Sequence, residues 1–196
     1  MIHLQPPFRP ATPDDAAALT DLVHFASEGL ALHVWTRMAG PAGDSWQIGR
    51  ERARRETGSF SYRNAVVVEE PAGQVAAALI GYALPDAPEP ISRDMPPTFV
   101  PLQELENLAP GSWYVNVLAS YPEHRGKGFG RALLGIADRI AASQKRPGLS
   151  IIVSDANAGA LRLYQRCGYR EEARRAKVKE DWVAPGTNWL LMVKSL

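Results

Sequence analysis

Residues 113–137 read WYVNVLASYPEHRGKGFGRALLGIA. Trp113 to Ser120 is an apolar run of strand character, and from Phe129 onward Leu133, Leu134, Ile136, Ala137, Ile140 and Ala141 recur at helical spacing. Between them lies Arg125-Gly126-Lys127-Gly128-Phe129-Gly130-Arg131. A glycine-rich loop that opens a helix leaves several backbone N–H groups without intrahelical acceptors, in a region of partial positive charge. The glycines keep Cβ atoms out of the way of an approaching phosphate, and Arg125, Lys127 and Arg131 add full charges. The segment therefore predicts an anion cradle. It is not a P-loop, because Lys127 is followed by Gly128 and not by a hydroxyl that could meet magnesium. Nor is it a dinucleotide fingerprint, because Arg131 stands where the third glycine belongs.

Working outward, Leu149 to Ser154 is a second β-branched strand, and Asn157 to Cys167 a helix with Gly168 as its stop, so a βαβα unit fills residues 113–168. Tyr169 to Lys179 and Asn188 to Lys194 predict a closing antiparallel pair around Ala184-Pro185-Gly186. Toward the N-terminus, Ile2 to Arg9 is expected as a first strand. Thr12-Pro13-Asp14-Asp15 caps a helix whose apolar stripe is Ala18, Leu19, Leu22, Val23 and Ala26, ending near Gly29. Residues 30–62 are poorly determined apart from a second, exposed helix over Ile48 to Thr57; Ala65 to Glu70 and Val75 to Leu84 predict a hairpin. Residues 85–111 contain seven prolines and a balance of −4, which predicts an acidic insertion with a helical turn around Leu102 to Leu108. The class is mixed α and β with a partly parallel sheet.

The chain has 196 residues, 45% hydrophobic and 22% charged, enough apolar material for one good core, and a single domain over 1–196 with the insertion is expected. Its composition excludes collagenous and disordered classes. Cys167 is the sole cysteine, which excludes a disulfide-stapled scaffold. No leader-like or 18-residue apolar segment is visible, so a cytoplasmic protein off the membrane is expected. The net charge of +1 conceals an asymmetry: residues 1–110 carry 14 acids against 8 arginines, residues 111–196 carry 14 bases against 7 acids. An anion is drawn to the second half. His3, His24, His33 and His124 lack metal-ligand spacing, and no metal is expected.

Leu118 to Gly130 resembles the acetyl-CoA motif of the GNAT N-acetyltransferase superfamily, [QR]-x-x-G-x-[GA] after a strand, with Arg125, Gly128 and Gly130 at the matching positions. Asn157-Ala158-Gly159-Ala160-Leu161-Arg162-Leu163-Tyr164, followed by Cys167-Gly168-Tyr169, is similar to a second block of that family. The resemblance is specific over 113–170 and absent over 30–62 and 85–111. It implies an α/β (α+β) fold with a mostly antiparallel central sheet and a splayed parallel strand pair flanked by helices. It implies acetyl-CoA as cosubstrate and an amine acceptor, either a small molecule or a protein amine. By the same resemblance Leu118, Ala119 and Ser120 would pair with the pantetheine amides. Arg125, Gly126, Lys127, Gly128, Phe129, Gly130 and Arg131 would hold the diphosphate. Asn157 would bond the pantetheine arm, and Tyr164 would protonate the departing thiolate. Ser120 departs from the family's usual valine.

A thioester is already activated, so the protein has only to position an amine, take its proton, stabilise an oxyanion and release the thiolate. Alternation puts Tyr114, Asn116 and Leu118 on one strand face, where Tyr114 and Asn116 could hold a water that relays the amine proton. No carboxylate base stands out; Glu69, Glu104 and Glu106 are candidates, and the acidic insertion favours a cationic amine if it covers the acceptor cleft. An ordinary helix cap for Asn157 and core packing for Tyr164 are the alternatives at those positions. Cys167 is expected to pack and not to react. A coenzyme-binding regulatory module without turnover is the second reading. Nucleic-acid binding through Arg162 to Lys179, seven bases against two acids, is a third and is not expected, since aromatic residues do not interleave. Acceptor identity and oligomeric state, including a homodimer, stay open.

Overall fold

The computed structural model describes residues 2–196. Seven strands, β1 (Phe8–Pro10), β2 (Ala65–Glu69), β3 (Val75–Ala83), β4 (Trp113–Ser120), β5 (Gly148–Ser154), β6 (Arg170–Ala176) and β7 (Asn188–Ser195), form one sheet in the order β1-β2-β3-β4-β5-β7-β6. β1 with β2, β2 with β3, β5 with β7 and β6 with β7 pair antiparallel, whereas β4 pairs parallel with β5. This is the expected mixed architecture. The chain divides into two compact units, residues 2–81 with 117–133, and residues 82–116 with 134–196.

The first unit holds β1 (Phe8–Pro10), β2 (Ala65–Glu69), most of β3 (Val75–Ala83), and helices α1 (Ala16–Ala26), α2 (Leu30–Ala39) and α3 (Ser45–Ala53). The expected first strand from Ile2 shrinks to three residues, because Pro6 and Pro7 have no N–H for a ladder and the Phe8 amide turns back to Gln5 O. Helix α2 was not foreseen. Gly29 adopts φ +89°, which lets the chain turn at once into a new helix, and Trp35 on α2 is buried against Phe60 with ring centroids 5.9 Å apart. Helix α3 starts and ends earlier than the charged run suggested, fixed by Asp44, whose side chain accepts from the amides of Trp46 and Gln47. Leu19, Leu22, Val67, Ala78 and Ile80 complete this core.

The second unit holds α4 (Val100–Glu106), most of α5 (Phe129–Ser143), β5, α6 (Ala158–Arg166), β6 (Arg170–Ala176) and β7 (Asn188–Ser195). Register assigns its faces. Leu149 lies opposite Lys194, whose Nζ meets Asp138 of α5 at 2.7 Å, so α5 covers the face carrying Leu149, Ile151 and Met192. Tyr114 lies beside Ser150, Ser154 opposite Trp189, and Trp189 opposite Arg175, all on the other face. There Arg175 Nε donates to Glu104 of α4 at 2.7 Å. The proline-rich insertion is thus anchored by one ion pair to the sheet face that also carries Tyr114. The helical turn expected near Leu102 is α4, with Leu105 fully buried.

Candidate functional site

The glycine-rich loop between β4 and α5 has a defined backbone geometry. Pro122–His124 makes a single 3-10 turn, Arg125 is extended, and Gly126 and Gly128 take φ of +78° and +86°. Such values disfavour any side chain, and a Cβ at either position would meet nothing within 4 Å, so open space lies over the loop. The first bond into α5 runs from the Ala132 amide to Gly128 O at 3.1 Å. The amides of Gly126 to Arg131 have no acceptor among the described residues. Arg125 and Arg131 are exposed and make no ion pair among the described residues. Lys127 behaves differently: its Nζ lies 3.6 Å from Glu70 Oε1 and 2.9 Å from His124 Nδ1, and His124 shares the same carboxylate at 3.1 Å. Two guanidinium groups, not three cations, are therefore uncommitted beside the amides. A diphosphate fits this set of donors.

The strand leading to the cradle is buried through Val115 and half-buried at Asn116, Leu118, Ala119 and Ser120. Its parallel ladder with β5 comprises Trp113–Val115 against Leu149–Ile151, three pairs of an eight-residue strand. Leu118, Ala119, Ser120 and the cradle belong to the first unit; Tyr114, Asn116, Asn157 and Tyr164 belong to the second.

In the second unit Asn157 caps α6: its Oδ1 accepts from the Ala160 amide at 3.1 Å, while its Nδ2 has no acceptor among the described residues. Asn116 has no side-chain partner among the described residues. Tyr114 is buried edge-on to Tyr82, centroids 5.6 Å apart, and burial, aided by the charge of Glu106, holds its phenol well above its ordinary pKa. Burial likewise raises Tyr164, with a lesser push from Cys167, and its hydroxyl has no partner among the described residues. Both phenols keep their protons at neutral pH.

The three candidate carboxylates separate. Glu69 is held by Arg9, and Glu104 by Arg175. Glu106, half-buried on α4, has neither an ion pair nor a side-chain hydrogen bond among the described residues. It lines a shallow surface depression with Glu89, Gln103, Asn107 and Leu84. Burial first, and the nearby Glu89 charge second, push Glu106 up to about 7, the range of a base that works at neutral pH. Composition could not single it out, because the three glutamates differ only in their tertiary surroundings. Tyr82 was missed as well; nothing in its local sequence marks the ring on which Tyr114 rests.

A model of the "Acetyltransferase (GNAT) family" matches residues 31–169. No curated protein matches the sequence. Among solved structures the chain is similar to a mosquito arylalkylamine N-acetyltransferase like 5b, 14% identical, TM-score 0.67, covering 96% of this chain and 99% of that one. It is also similar to a structure described as an acetyltransferase, 20% identical, TM-score 0.64, with coverages of 96% and 98%. An N-acetyltransferase from Staphylococcus aureus Mu50 aligns at 17% identity and TM-score 0.61, with coverages of 95% and 98%. These likenesses show the fold.

Proposed function

Because the chain belongs to the acetyltransferase (GNAT) family, we propose that residues 1–196 work as one N-acetyltransferase domain that moves an acetyl group from acetyl-CoA directly to a primary amine in a ternary complex. The observation that carries this reading is the run of amides from Gly126 to Arg131 at the start of α5 that have no acceptor among the described residues, beside two arginines with no ion pair among them. Such a set is a binding site for a multiply charged phosphate group.

In this reading the bound thioester supplies an acetyl group that needs no further activation. Arg125 to Arg131 hold the diphosphate, and the short ladder of β4 supports main-chain pairing of Leu118, Ala119 and Ser120 with the pantetheine arm. Asn157 offers Nδ2 to that arm while its oxygen caps α6. Tyr164 keeps its proton at neutral pH and gives it, or a strong hydrogen bond, to the leaving sulfur. Glu106 accepts the amine proton, through water held by Tyr114 and Asn116, since the other two candidate glutamates are tied to arginines.

Two measurements on the purified chain test the reading. Calorimetry with acetyl-CoA should show saturable binding, and thiol release with a panel of neutral and cationic amines should show turnover. Absence of heat sinks the reading. Heat without turnover on any amine turns it into a coenzyme-binding regulatory module.

A further inference from the structure

Glu70 opens the turn between β2 and β3, its amide donating to Gln74 O and its carbonyl accepting from Gly73 N, both at 2.8 Å. The single turn Pro122–His124 is tied to the same hairpin by Tyr121 N, which donates to Ala76 O at 3.0 Å. Two fixed pieces of backbone thus bring one carboxylate to the edge of the glycine-rich loop. Glu70 Oε1 lies 3.1 Å from His124 Nδ1 and 3.6 Å from Lys127 Nζ, and Lys127 Nζ lies 2.9 Å from the same His124 nitrogen. His124 is mostly enclosed, with 14% of its side chain exposed, whereas Lys127 at 48% has room to move.

One ring nitrogen cannot serve both neighbours. Without a proton, Nδ1 accepts from the Lys127 ammonium and has nothing to give Glu70. With a proton, it donates to Glu70 and turns a positive N–H toward an ammonium 2.9 Å away. Glu70 and Lys127 are the charged groups that face the ring among the described residues. Protonation therefore moves Glu70 from the lysine to the imidazolium and sets Lys127 free. The glycines on either side of Lys127 border open space, so its side chain can swing over the loop amides.

We propose that His124 is a proton-operated release for Lys127: an anion on the loop amides draws the lysine in, and His124 takes a proton from solvent and keeps Glu70 paired. The proposal deepens the coenzyme reading and rests on it, the anion being the coenzyme diphosphate. Three cations then grip the diphosphate instead of two. By linkage, the grip tightens as pH falls through the range in which imidazole gains its charge.

Calorimetry of acetyl-CoA binding near pH 7, in two buffers of different ionisation heat, counts the protons exchanged. The unaltered chain should take up about a third of a proton or more per coenzyme beyond what His124→Gln takes up, because glutamine can accept from Lys127 but cannot titrate. Lys127→Gln, which leaves nothing to release, should lower the count in the same way. Affinity should also rise between pH 8 and pH 6 by about threefold or more beyond the rise in either variant. Glu106 and the coenzyme's own phosphates are common to all three chains, so the differences belong to the cluster. Equal proton counts in the unaltered chain and His124→Gln, or a count that survives Lys127→Gln, overturn the proposal while leaving coenzyme binding and the transferase reading in place. Absence of any binding heat is the separate result that sinks the transferase reading, and this proposal with it.

Discussion

Glu106 is the residue whose chemistry depends most on its surroundings. Its ordinary pKa of 4.5 rises to about 7 in the fold, chiefly by burial. Between those values the folded chain retains a proton that the unfolded chain releases. Its contribution to stability is therefore most favourable below about pH 4.5 and declines as pH rises through 7, by at most about 3 kcal/mol. Glu106→Gln removes that decline, and urea unfolding at pH 5 and pH 7.5 measures it: the gap between the two pH values should shrink in the variant. The same change should lower kcat with an active amine by ten- to a thousandfold, with binding of acetyl-CoA unaltered. Nothing at the level of residue type separates Glu106 from Glu69 and Glu104. Arg9 and Arg175, distant in sequence, neutralise those two and leave the third alone.

At the scale of elements, an apolar stripe that is long and uninterrupted marks its element closely. The strand at Trp113, helix α5 and the hairpin of β2 and β3 lie within a residue or so of where periodicity put them. It failed where a glycine or proline broke the pattern, at β1 and at α2. Helix α3 illustrates why: its exposed charges look like a free surface helix, yet Gly49 is buried on its inner side. A Cβ there would come 2.8 Å from the Trp35 ring and 2.5 Å from Thr20 Cγ2. Gly49→Ala should therefore cost about 1–3 kcal/mol by overpacking, although alanine is the better helix former. Chemical denaturation reports it; an unchanged or raised midpoint would mean that α3 does not close on Trp35 as described.

At the scale of the whole molecule, the balance of −6 over residues 1–110 and +7 over 111–196 puts the excess of positive charge in the half that carries the glycine-rich loop. Only part of that excess is free for an anion: Lys127 is engaged by Glu70, and Arg174, Arg175 and Lys194 pair with acids inside their own unit. Arg125→Gln together with Arg131→Gln should weaken acetyl-CoA binding about tenfold or more at low salt. The loss should shrink as sodium chloride screens the charges, which calorimetry at two ionic strengths reads directly. No helix among the described residues is long and apolar enough to cross a membrane. By itself the sequence determined the mixed fold, the family, and the glycine-rich loop at the start of α5, because each is written in local spacing: period two, period 3.6, and glycines at a helix start. Only the tertiary structure decided which of the three glutamates and which cations of the loop stay without an ion pair among the described residues. Those are properties of neighbours brought together from far along the chain, and burial and charge act through space and not through sequence order.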